Sequence, residues 1–242
     1  MLKVTAIIVA KKVSTRVPNK NMLPFGNSTL LGHKISQLLQ CDNVTEVVVG
    51  SDSDDILDFC KQFNVITVKR PDHVCVEPMV KHNEMIENMI SLIPPTDVVM
   101  WSHCTNPNIQ PLTYYNAINK FLCLEKEYDS LISVDKVQEH LWDNNFTPTN
   151  YNPWDTDHTL ARDLPVLWKQ NGAIFIQTYE NIKNNGYFFG SSPFLFETPI
   201  LESGDIDTKE DFFMCQTLHK KFFELGLYSP GYLARKNGLI IT

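Results

Sequence analysis

Closely spaced cysteines, long apolar runs and an excess of positive charge are all missing from this chain of 242 residues. No two of its six cysteines lie closer together than Cys60 and Cys75, which excludes CxxC pairs and zinc-like spacings and favours free thiols in a reducing cytosol. A net charge of −7 argues against sequence-independent nucleic-acid binding, which needs a broad basic face. The apolar run at the N-terminus is too short for a signal peptide or a membrane span. We therefore expect a soluble cytoplasmic protein with no nucleic-acid or membrane partner.

Two common nucleotide-binding motifs are absent as well. The chain contains no GxxxxGK[ST], so it is not a P-loop protein, and no GxGxxG follows its first apolar run. Without a GxGxxG motif, a nicotinamide-dependent oxidoreductase is supported only by an alternation of predicted strands and helices.

That alternation extends along most of the chain. Apolar, β-branched runs predict strands at residues 4–10, 47–50, 65–68, 98–101, 131–134, 172–177 and 194–198. Helical spacing predicts helices at residues 28–41, 53–63, 79–93, 111–126, 179–185 and 208–225, with Ser28 and Thr208 as N-caps and Pro78 opening the third helix. This order predicts an α/β fold with a doubly wound, mainly parallel sheet, built as a single domain over residues 1–242.

The segment at about 137–165 interrupts the alternation. It is rich in Asn, Asp, Thr and Pro and contains three aromatic residues of the kind enriched in protein interfaces, Trp142, Tyr151 and Trp154. Irregular segments of this length inside a compact domain are usually functional or packed against a partner. We expect a small dimerisation arm, and hence a homodimer, in preference to a long surface loop.

Positive charge is concentrated in the loop after the first strand. Residues 10–21 contain hydrogen-bonding side chains and four cations: Lys11, Lys12, Arg16 and Lys20. Ligands of open α/β sheets bind at the carboxyl ends of the strands, and nucleotidyl transfer depends chiefly on positive charge and positioning. A cationic loop at this point of an acidic protein suggests polyphosphate binding, although a solvated basic loop would have the same composition.

A second candidate site lies near the last helix. Asp205 and Asp207 are two residues apart, so in an extended segment both side chains project to one face. Two carboxylates on one face suit Mg²⁺, which also takes phosphate oxygens from a substrate. The other interpretation is an acidic approach that stabilises the dipole of the following helix.

Several motifs together resemble the acylneuraminate (CMP-sialic acid) cytidylyltransferases and their relatives that activate other 3-deoxy sugar acids. The family's opening pattern, IIPARxGSKxxPxKN, corresponds to IIVAKKVSTRVPNKN at residues 7–21. Further matches are SDS at 51–53, RP at 70–71, HCTNP at 103–107, LP at 164–165, NGAIFI at 171–176, FFG at 188–190 and DIDTKEDF at 205–212. Each match is weak alone, but their order and spacing over residues 3 to about 218 are specific. The resemblance favours the phosphate interpretation of the first loop and the metal interpretation of the two aspartates.

The resemblance implies a Rossmann-like nucleotidyltransferase that transfers CMP from CTP to a sialic-acid-like sugar acid, with Mg²⁺ as cofactor and pyrophosphate as the second product. It implies catalytic roles for Lys11, Lys20 and Asp207, and metal binding by Asp205 and Asp207. The nucleotide-binding residues that it implies are Ala10, Lys11, Ser14, Lys20, Asn21, Arg70, Met79 and Lys81. The acceptor-binding residues that it implies are His103, Thr105, Asn106, Arg162, Asn171, Phe175, Phe188 and Phe189.

The chain departs from the family pattern at the phosphate loop and on the acceptor side. Val13 and Lys11 stand where the family has glycine and arginine, and His103 replaces a glutamine. Ala161 replaces an acceptor-side arginine, for which Arg162 is the nearest substitute. These changes leave two alternatives open: a different acid or a phosphonate as acceptor, or a non-catalytic relative that binds a nucleotide or sugar. His103 is either an acceptor contact or a histidine at the edge of the core.

Overall fold

The computed structural model describes residues 2–75 and 81–227 of the chain. Seven strands form the main sheet: β1 (Val4–Val9), β4 (Glu46–Ser51), β5 (Ile66–Lys69), β6 (Val98–Trp101), β7 (Ser130–Val137), β8 (Leu167–Thr178) and β9 (Pro193–Glu197). Their order across the sheet is β5-β4-β1-β6-β8-β7-β9. A short antiparallel hairpin of β2 (Pro24–Phe25) and β3 (Ser28–Thr29) forms a separate sheet.

The main sheet is mostly parallel, as predicted. Strands β5, β4, β1 and β6 pair in parallel, and so do β7 and β9. Strand β8 runs antiparallel to both of its neighbours, β6 and β7. The carboxyl ends of β1, β4 and β6 therefore lie at one edge of the sheet, where ligands of open α/β folds bind.

Six helices are described: α1 (Leu30–Leu39), α2 (Asp54–Cys60), α3 (His82–Leu92), α4 (Pro111–Leu122), α5 (Tyr179–Asn185) and α6 (Lys209–Glu224). Two apolar clusters show that they cover both faces of the sheet. Ile8 packs with Leu31 of α1 in one cluster, whereas its neighbour Ile7 packs with Ile86 of α3 in the other. Successive strand residues point to opposite faces, so β1 is buried on both sides and the doubly wound arrangement is confirmed.

The observed helix starts confirm one predicted cap and correct another. The Thr208 side chain accepts from the amide of Asp211, and the Asp211 carboxylate accepts from Thr208 in return, which forms a capping box for α6. Ser28 does not cap α1, because it lies in β3. Thr29 takes that place, and its hydroxyl accepts from the amide of Gly32. Residues 76–80, which include Pro78 and Met79, and the tail from Tyr228 onward lie outside the described residues.

Strand β8 is longer than the predicted strand at 172–177. Its first half, from Leu167 to Gln170, pairs with the end of β7 in register from Leu167↔Val137 to Gln170↔Val134. These residues are exposed, so they lack the apolar pattern by which a buried strand is recognised. The extension carries both strands beyond the body of the sheet.

The predicted arm lies between these extended strands. It contains an isolated bridge between Trp142 and Pro148 and a 3-10 turn at Ala161–Asp163. Phe146 and Trp154 are 85% and 78% exposed. Self-association through the arm stays a prediction. Within residues 2–75 and 81–227, no helix has the length and apolar character that a membrane span requires.

Candidate active site

Two cavities meet at the carboxyl edge of the parallel strands. The smaller, of about 380 Å³, lies over the loop that follows β1, and the larger, of about 1010 Å³, lies toward β8 and the start of α6. His103, Phe188 and Asp207 line both cavities. A ligand in one cavity would therefore meet a ligand in the other beside these three side chains.

The smaller cavity is bordered by the cationic loop. Lys11, Ser14, Arg16, Lys20 and Asn21 all line it. The side-chain amide of Asn21 donates to the carbonyl oxygen of Lys11 at 3.0 Å, which closes the loop on itself. The backbone N–H of Lys12 donates to Oδ1 of Asp52 at 2.7 Å, which ties the loop to the end of β4. These bonds hold the cations around one space, as a triphosphate site requires.

Lys20 is the most buried of the loop cations. Its Nζ donates to the carbonyl oxygen of Ile206 and lies 3.8 Å from Oδ1 of Asp207. Burial lowers the pKa of Lys20 below its ordinary value, and the charges of Asp207 and Asp205 oppose that shift. A largely desolvated cation beside two carboxylates forms stronger electrostatic interactions than a solvated lysine would.

Arg16 links the same loop to Asp207 directly. Its Nη2 lies 2.8 Å from Oδ1 of Asp207, and both side chains remain partly exposed. Sequence reasoning identified Arg16 only as one of several loop cations. Nothing in the local sequence distinguishes Arg16 from Lys12, whose side chain does not line either cavity.

Asp205 and Asp207 project from one extended segment, as their spacing predicts. Ile206, between them, is fully buried, and its amide donates to the carbonyl oxygen of Thr105 at 2.8 Å. Desolvation raises the pKa of the Asp205 carboxyl, the Thr105 hydroxyl bonded to it lowers the pKa, and the nearby charge of Asp207 raises it. Both carboxylates line the larger cavity.

The donor set of the two aspartates fits Mg²⁺. Mg²⁺ is commonly held by one or two carboxylates together with phosphate oxygens and water, so a third protein ligand is not required. Within the described part of the chain, no group of three or more His, Cys, Asp or Glu side chains could hold a metal ion. Thr208 and Asp211 together cap α6, and the Asp211 carboxylate accepts from the amides of Thr208 and Asp207 at 2.7 and 3.0 Å. The first turn of α6 is thus capped without Asp205. This weakens the interpretation that Asp205 serves to stabilise the dipole of α6.

Aromatic side chains form one wall of the larger cavity. Phe175 and Phe188 stack with ring centroids 5.0 Å apart, and His103 packs edge-on against both at 5.9 and 5.7 Å. Phe189 stacks on Phe175 at 6.2 Å without lining either cavity. The predicted apolar wall is therefore present, with Phe189 in a supporting position.

The larger cavity also contains cations. Lys81, predicted on the nucleotide side, lines this cavity rather than the smaller one. Lys169 lines it too, and its Nζ lies 3.9 Å from Oδ2 of Asp135 on the neighbouring strand. Lys169 was not predicted, because the exposed start of β8 carries no motif that marks it.

Two predicted nucleotide contacts lie outside the cavity lining. Arg70 is fully buried and binds α3, where its Nε and Nη2 donate to Oδ1 of Asn88 and to the carbonyl oxygen of Met85 at 3.2 and 3.1 Å. Ala10 is also buried, and its amide donates to the carbonyl oxygen of Gly50 at 3.0 Å. Both residues shape the edge of the sheet beneath the smaller cavity.

Two predicted acceptor contacts, Asn106 and Asn171, hold the backbone around the larger cavity. The Asn171 amide nitrogen donates to Oδ1 of Asp135 at 2.7 Å and to Oγ1 of Thr198 at 2.8 Å. The Asn106 amide nitrogen donates to the carbonyl oxygens of Asn171 and Gly204 at 3.1 and 3.2 Å. Asn171 nevertheless lines the larger cavity, as Thr105 lines the smaller one.

Arg162 is not brought to the site within this chain. It lies in the 3-10 turn of the arm with 79% of its side chain exposed, and its Nε is 3.8 Å from Oδ2 of its neighbour Asp163. It lines neither cavity. Within one protomer, Arg162 therefore does not replace the arginine that the family pattern has at position 161.

Solved structures support the fold. A CMP:2-keto-3-deoxy-manno-octonic acid synthetase complexed with CTP aligns with a TM-score of 0.65 at 14% identity, covering 90% of this chain and 99% of that one. A 4-diphosphocytidyl-2C-methyl-D-erythritol synthase aligns with a TM-score of 0.64 at 14% identity, covering 90% and 99% of the two chains. The Rossmann-like nucleotidyltransferase fold is thereby confirmed.

Sequence comparisons identify the family. The chain is 25% identical to the N-acylneuraminate cytidylyltransferase of Escherichia coli O18:K1:H7 over 229 residues, covering 90% of this chain but 52% of that protein. It is 26% identical to the CMP-N,N'-diacetyllegionaminic acid synthase of Legionella pneumophila, covering 90% of this chain and 96% of that protein. The family model described as cytidylyltransferase matches residues 5–223. The chain belongs to the cytidylyltransferase family.

Proposed function

We propose that this protein transfers CMP from CTP to a sialic-acid-like sugar acid, with Mg²⁺ as cofactor and pyrophosphate as the second product. One observation carries the proposal: Asp207 is paired with two cations of the phosphate loop and lines both cavities. The nucleotide and acceptor would then meet beside a carboxylate pair whose donors fit a divalent cation.

The smaller cavity would take CTP. Lys11, Arg16 and Lys20 would surround the phosphates, where their charge offsets the negative charge that develops on the leaving pyrophosphate. Trp101 also lines this cavity, and its buried indole N–H has no hydrogen-bond partner among the described residues. Ser14 and Asn21 would orient the nucleotide.

Asp205 and Asp207 would hold Mg²⁺ on the side where the cavities meet. When bound, Mg²⁺ supplies charge neutralisation at the phosphates and lowers the pKa of a coordinated hydroxyl. Arg16 would leave Asp207 for the phosphates as the nucleotide enters. Exposed ion pairs are worth only about 0–1 kcal/mol, so this exchange of partners costs little.

The larger cavity would take the acid. Phe175 and Phe188 offer an apolar wall for an acyl substituent, and Lys81 and Lys169 offer positive charge for a carboxylate. His103 would contact the acceptor beside the reacting hydroxyl. The names of similar proteins, which include a pseudaminic acid cytidylyltransferase of Campylobacter jejuni 23% identical over 232 residues, favour a sugar acid over a phosphonate.

The arm would complete a homodimer. Its exposed Phe146 and Trp154 are large apolar side chains that a second copy of the chain could cover. Arg162 lies on the same arm, so it could reach an acceptor site only across such an interface.

Pyrophosphate release tests the proposed reaction. Purified protein with Mg²⁺ is incubated with each of CTP, UTP, ATP and GTP and with a panel of N-acetylneuraminic, N,N'-diacetyllegionaminic, pseudaminic and 2-keto-3-deoxy-octonic acids and one phosphonate. We expect release that requires both CTP and one of the acids. CTP binding without release from any pair would favour the non-catalytic alternative.

A further inference from the structure

A lysine is buried in the core beneath the active site. Lys34 of α1 has no exposed surface, and its Nζ donates to the carbonyl oxygen of Asn106 at 2.7 Å and to the hydroxyl of Tyr114. Burial lowers the pKa of Lys34 to about 7, and the nearby Cys104 and Glu202 oppose that shift. Both the ammonium and the neutral amine donate hydrogen bonds, so the bond to Asn106 persists in either state. Such burial is costly unless the polar group is well bonded.

The groups that face Lys34 come from each element packed around it. Tyr114 of α4 bonds to Ser102 at the end of β6, with 2.8 Å between the two hydroxyl oxygens. Glu202, in the turn before the metal segment, accepts from the amide of Gln110 at 2.8 Å. Cys104 lies beyond β6, and His33 precedes Lys34 on α1. The cluster thus joins α1 and α4 to the segments after β6 and β9.

From Asn106 the contacts continue to the carboxylate pair. The Asn106 amide nitrogen donates to the carbonyl oxygen of Gly204, directly before Asp205. The adjacent Thr105 carbonyl oxygen accepts from the amide of Ile206, directly after Asp205. Residues 105 and 106 therefore hold the backbone on both sides of Asp205, and Lys34 holds residue 106.

We propose that Lys34 is a positioning residue that, through Asn106, sets the place of Asp205 in the wall of the larger cavity. The kinetic part of this inference rests on the proposed function. Gln37 provides a matched comparison, because it is also buried on α1 and its amide nitrogen donates to the carbonyl oxygens of Pro107 and Ile109 at 2.6 and 2.6 Å. Those bonds end on the backbone that follows Asn106.

The test compares Lys34→Met with Gln37→Met by hydrogen exchange at the Ile206 amide and by steady-state kinetics. We expect exchange at Ile206 to quicken about tenfold or more in Lys34→Met and to change little in Gln37→Met. We expect kcat to fall about 10- to 100-fold in Lys34→Met while KM for CTP stays within about twofold, because a small displacement of a catalytic group is costly in rate. Loss of stability alone would affect both variants alike.

Asn106→Ser provides a second variant that keeps the backbone bond to Lys34 but removes the side-chain bonds to the carbonyl oxygens of Gly204 and Asn171. If Lys34→Met fails to fold, Asn106→Ser must show the same faster exchange and lower kcat. Unchanged exchange at Ile206, unchanged kcat, or equal effects of Lys34→Met and Gln37→Met would each overturn the inference. A wild-type protein that releases no pyrophosphate would contradict the proposed function, and exchange at Ile206 would then decide the inference by itself.

Discussion

Nη2 of Arg16 lies 2.8 Å from Oδ1 of Asp207, so the cationic loop and the carboxylate pair are in direct contact. The two residues are far apart in the sequence. Their pairing places the proposed phosphate-binding loop and the proposed metal-binding segment side by side. Substitutions at these two residues are expected to change the reaction in different ways.

Asp207→Asn is expected to lower turnover by about 100-fold or more, because the amide cannot supply a charged oxygen ligand to Mg²⁺. The fold should be unchanged, since Asp207 is partly exposed and the capping box of α6 uses Asp211. Pyrophosphate release measures the loss of turnover, and circular dichroism checks that the fold is unchanged. Activity near the wild-type level in this variant would remove Asp207 from the metal site.

Arg16→Gln is expected to raise KM for CTP and to tighten metal binding in the absence of nucleotide. The side chain competes with the metal for Asp207, and the partly exposed pair limits the gain to about fivefold. Mn²⁺ titration followed by electron paramagnetic resonance measures the affinity. Lys12→Gln is the control, since its side chain lines neither cavity. Weaker Mn²⁺ binding in Arg16→Gln would contradict the competition.

Lys169→Met is expected to raise KM for the acid several-fold and to leave KM for CTP unchanged, because Lys169 lines only the larger cavity. Lys136→Met, an exposed change on the neighbouring strand, is the matched control. The methyl ester of the acid adds a second check: the wild-type protein should prefer the free acid, and Lys169→Met should lose that preference. An equal preference in both proteins would assign the carboxylate to another cation.

Lys34 predicts a pH-dependent stability. Its pKa is lowered to about 7 in the folded protein. Between that pH and its ordinary pKa, the unfolded chain binds a proton that the folded chain has released. The free energy of unfolding therefore rises with pH in this window, by at most roughly 1.4 kcal/mol per pH unit from this group. Lys34→Met has no titrating group at this position, so it lacks this pH-dependent contribution to the free energy of unfolding. Urea unfolding of both proteins between about pH 7 and pH 10 should show the free energy of unfolding of the wild-type protein rising with pH relative to that of Lys34→Met. A constant difference between the two proteins across this range would contradict the shifted pKa.

The arm predicts association in solution. Light scattering at micromolar concentration should give twice the mass of the chain, and replacing Phe146 and Trp154 with serine should shift the mass toward that of one chain. Replacing Ile200, an apolar residue outside the arm that is 86% exposed, with serine is the control. A monomeric wild-type protein would exclude the arm as a dimer interface.

Much of the fold was predictable because its signals are local. The buried strands are continuous apolar runs, and the strand at Val98–Trp101 and the helix at Tyr179–Asn185 lie where the sequence predicts them. The first half of β8 was not predictable, since exposed residues held by pairing alone leave no apolar pattern.

The candidate site was predictable where motif spacing marks it, as for Asp205 and Asp207. Residues whose role depends on contacts with distant parts of the chain could not be predicted. Lys34 is an example, because it lies within a helical pattern in which a lysine normally indicates a solvent-facing position. Arg162 shows the opposite case. Its position next to Ala161 suggested a role that its exposed place on the arm does not support within one chain.

Transfer of CMP to the acid is tested most directly by phosphorus NMR of a reaction that contains the protein, Mg²⁺, CTP and the acid selected by pyrophosphate release. We expect the three CTP signals to disappear while the phosphodiester signal of a CMP-sugar and the pyrophosphate signal grow, with the pyrophosphate signal integrating to twice the phosphodiester signal because pyrophosphate contains two equivalent phosphorus atoms. With Asp207→Asn, we expect both product signals to grow more slowly by about 100-fold or more. Formation of CDP and inorganic phosphate, or pyrophosphate accompanied by free CMP in place of the phosphodiester, would show that CMP is not transferred to the acid.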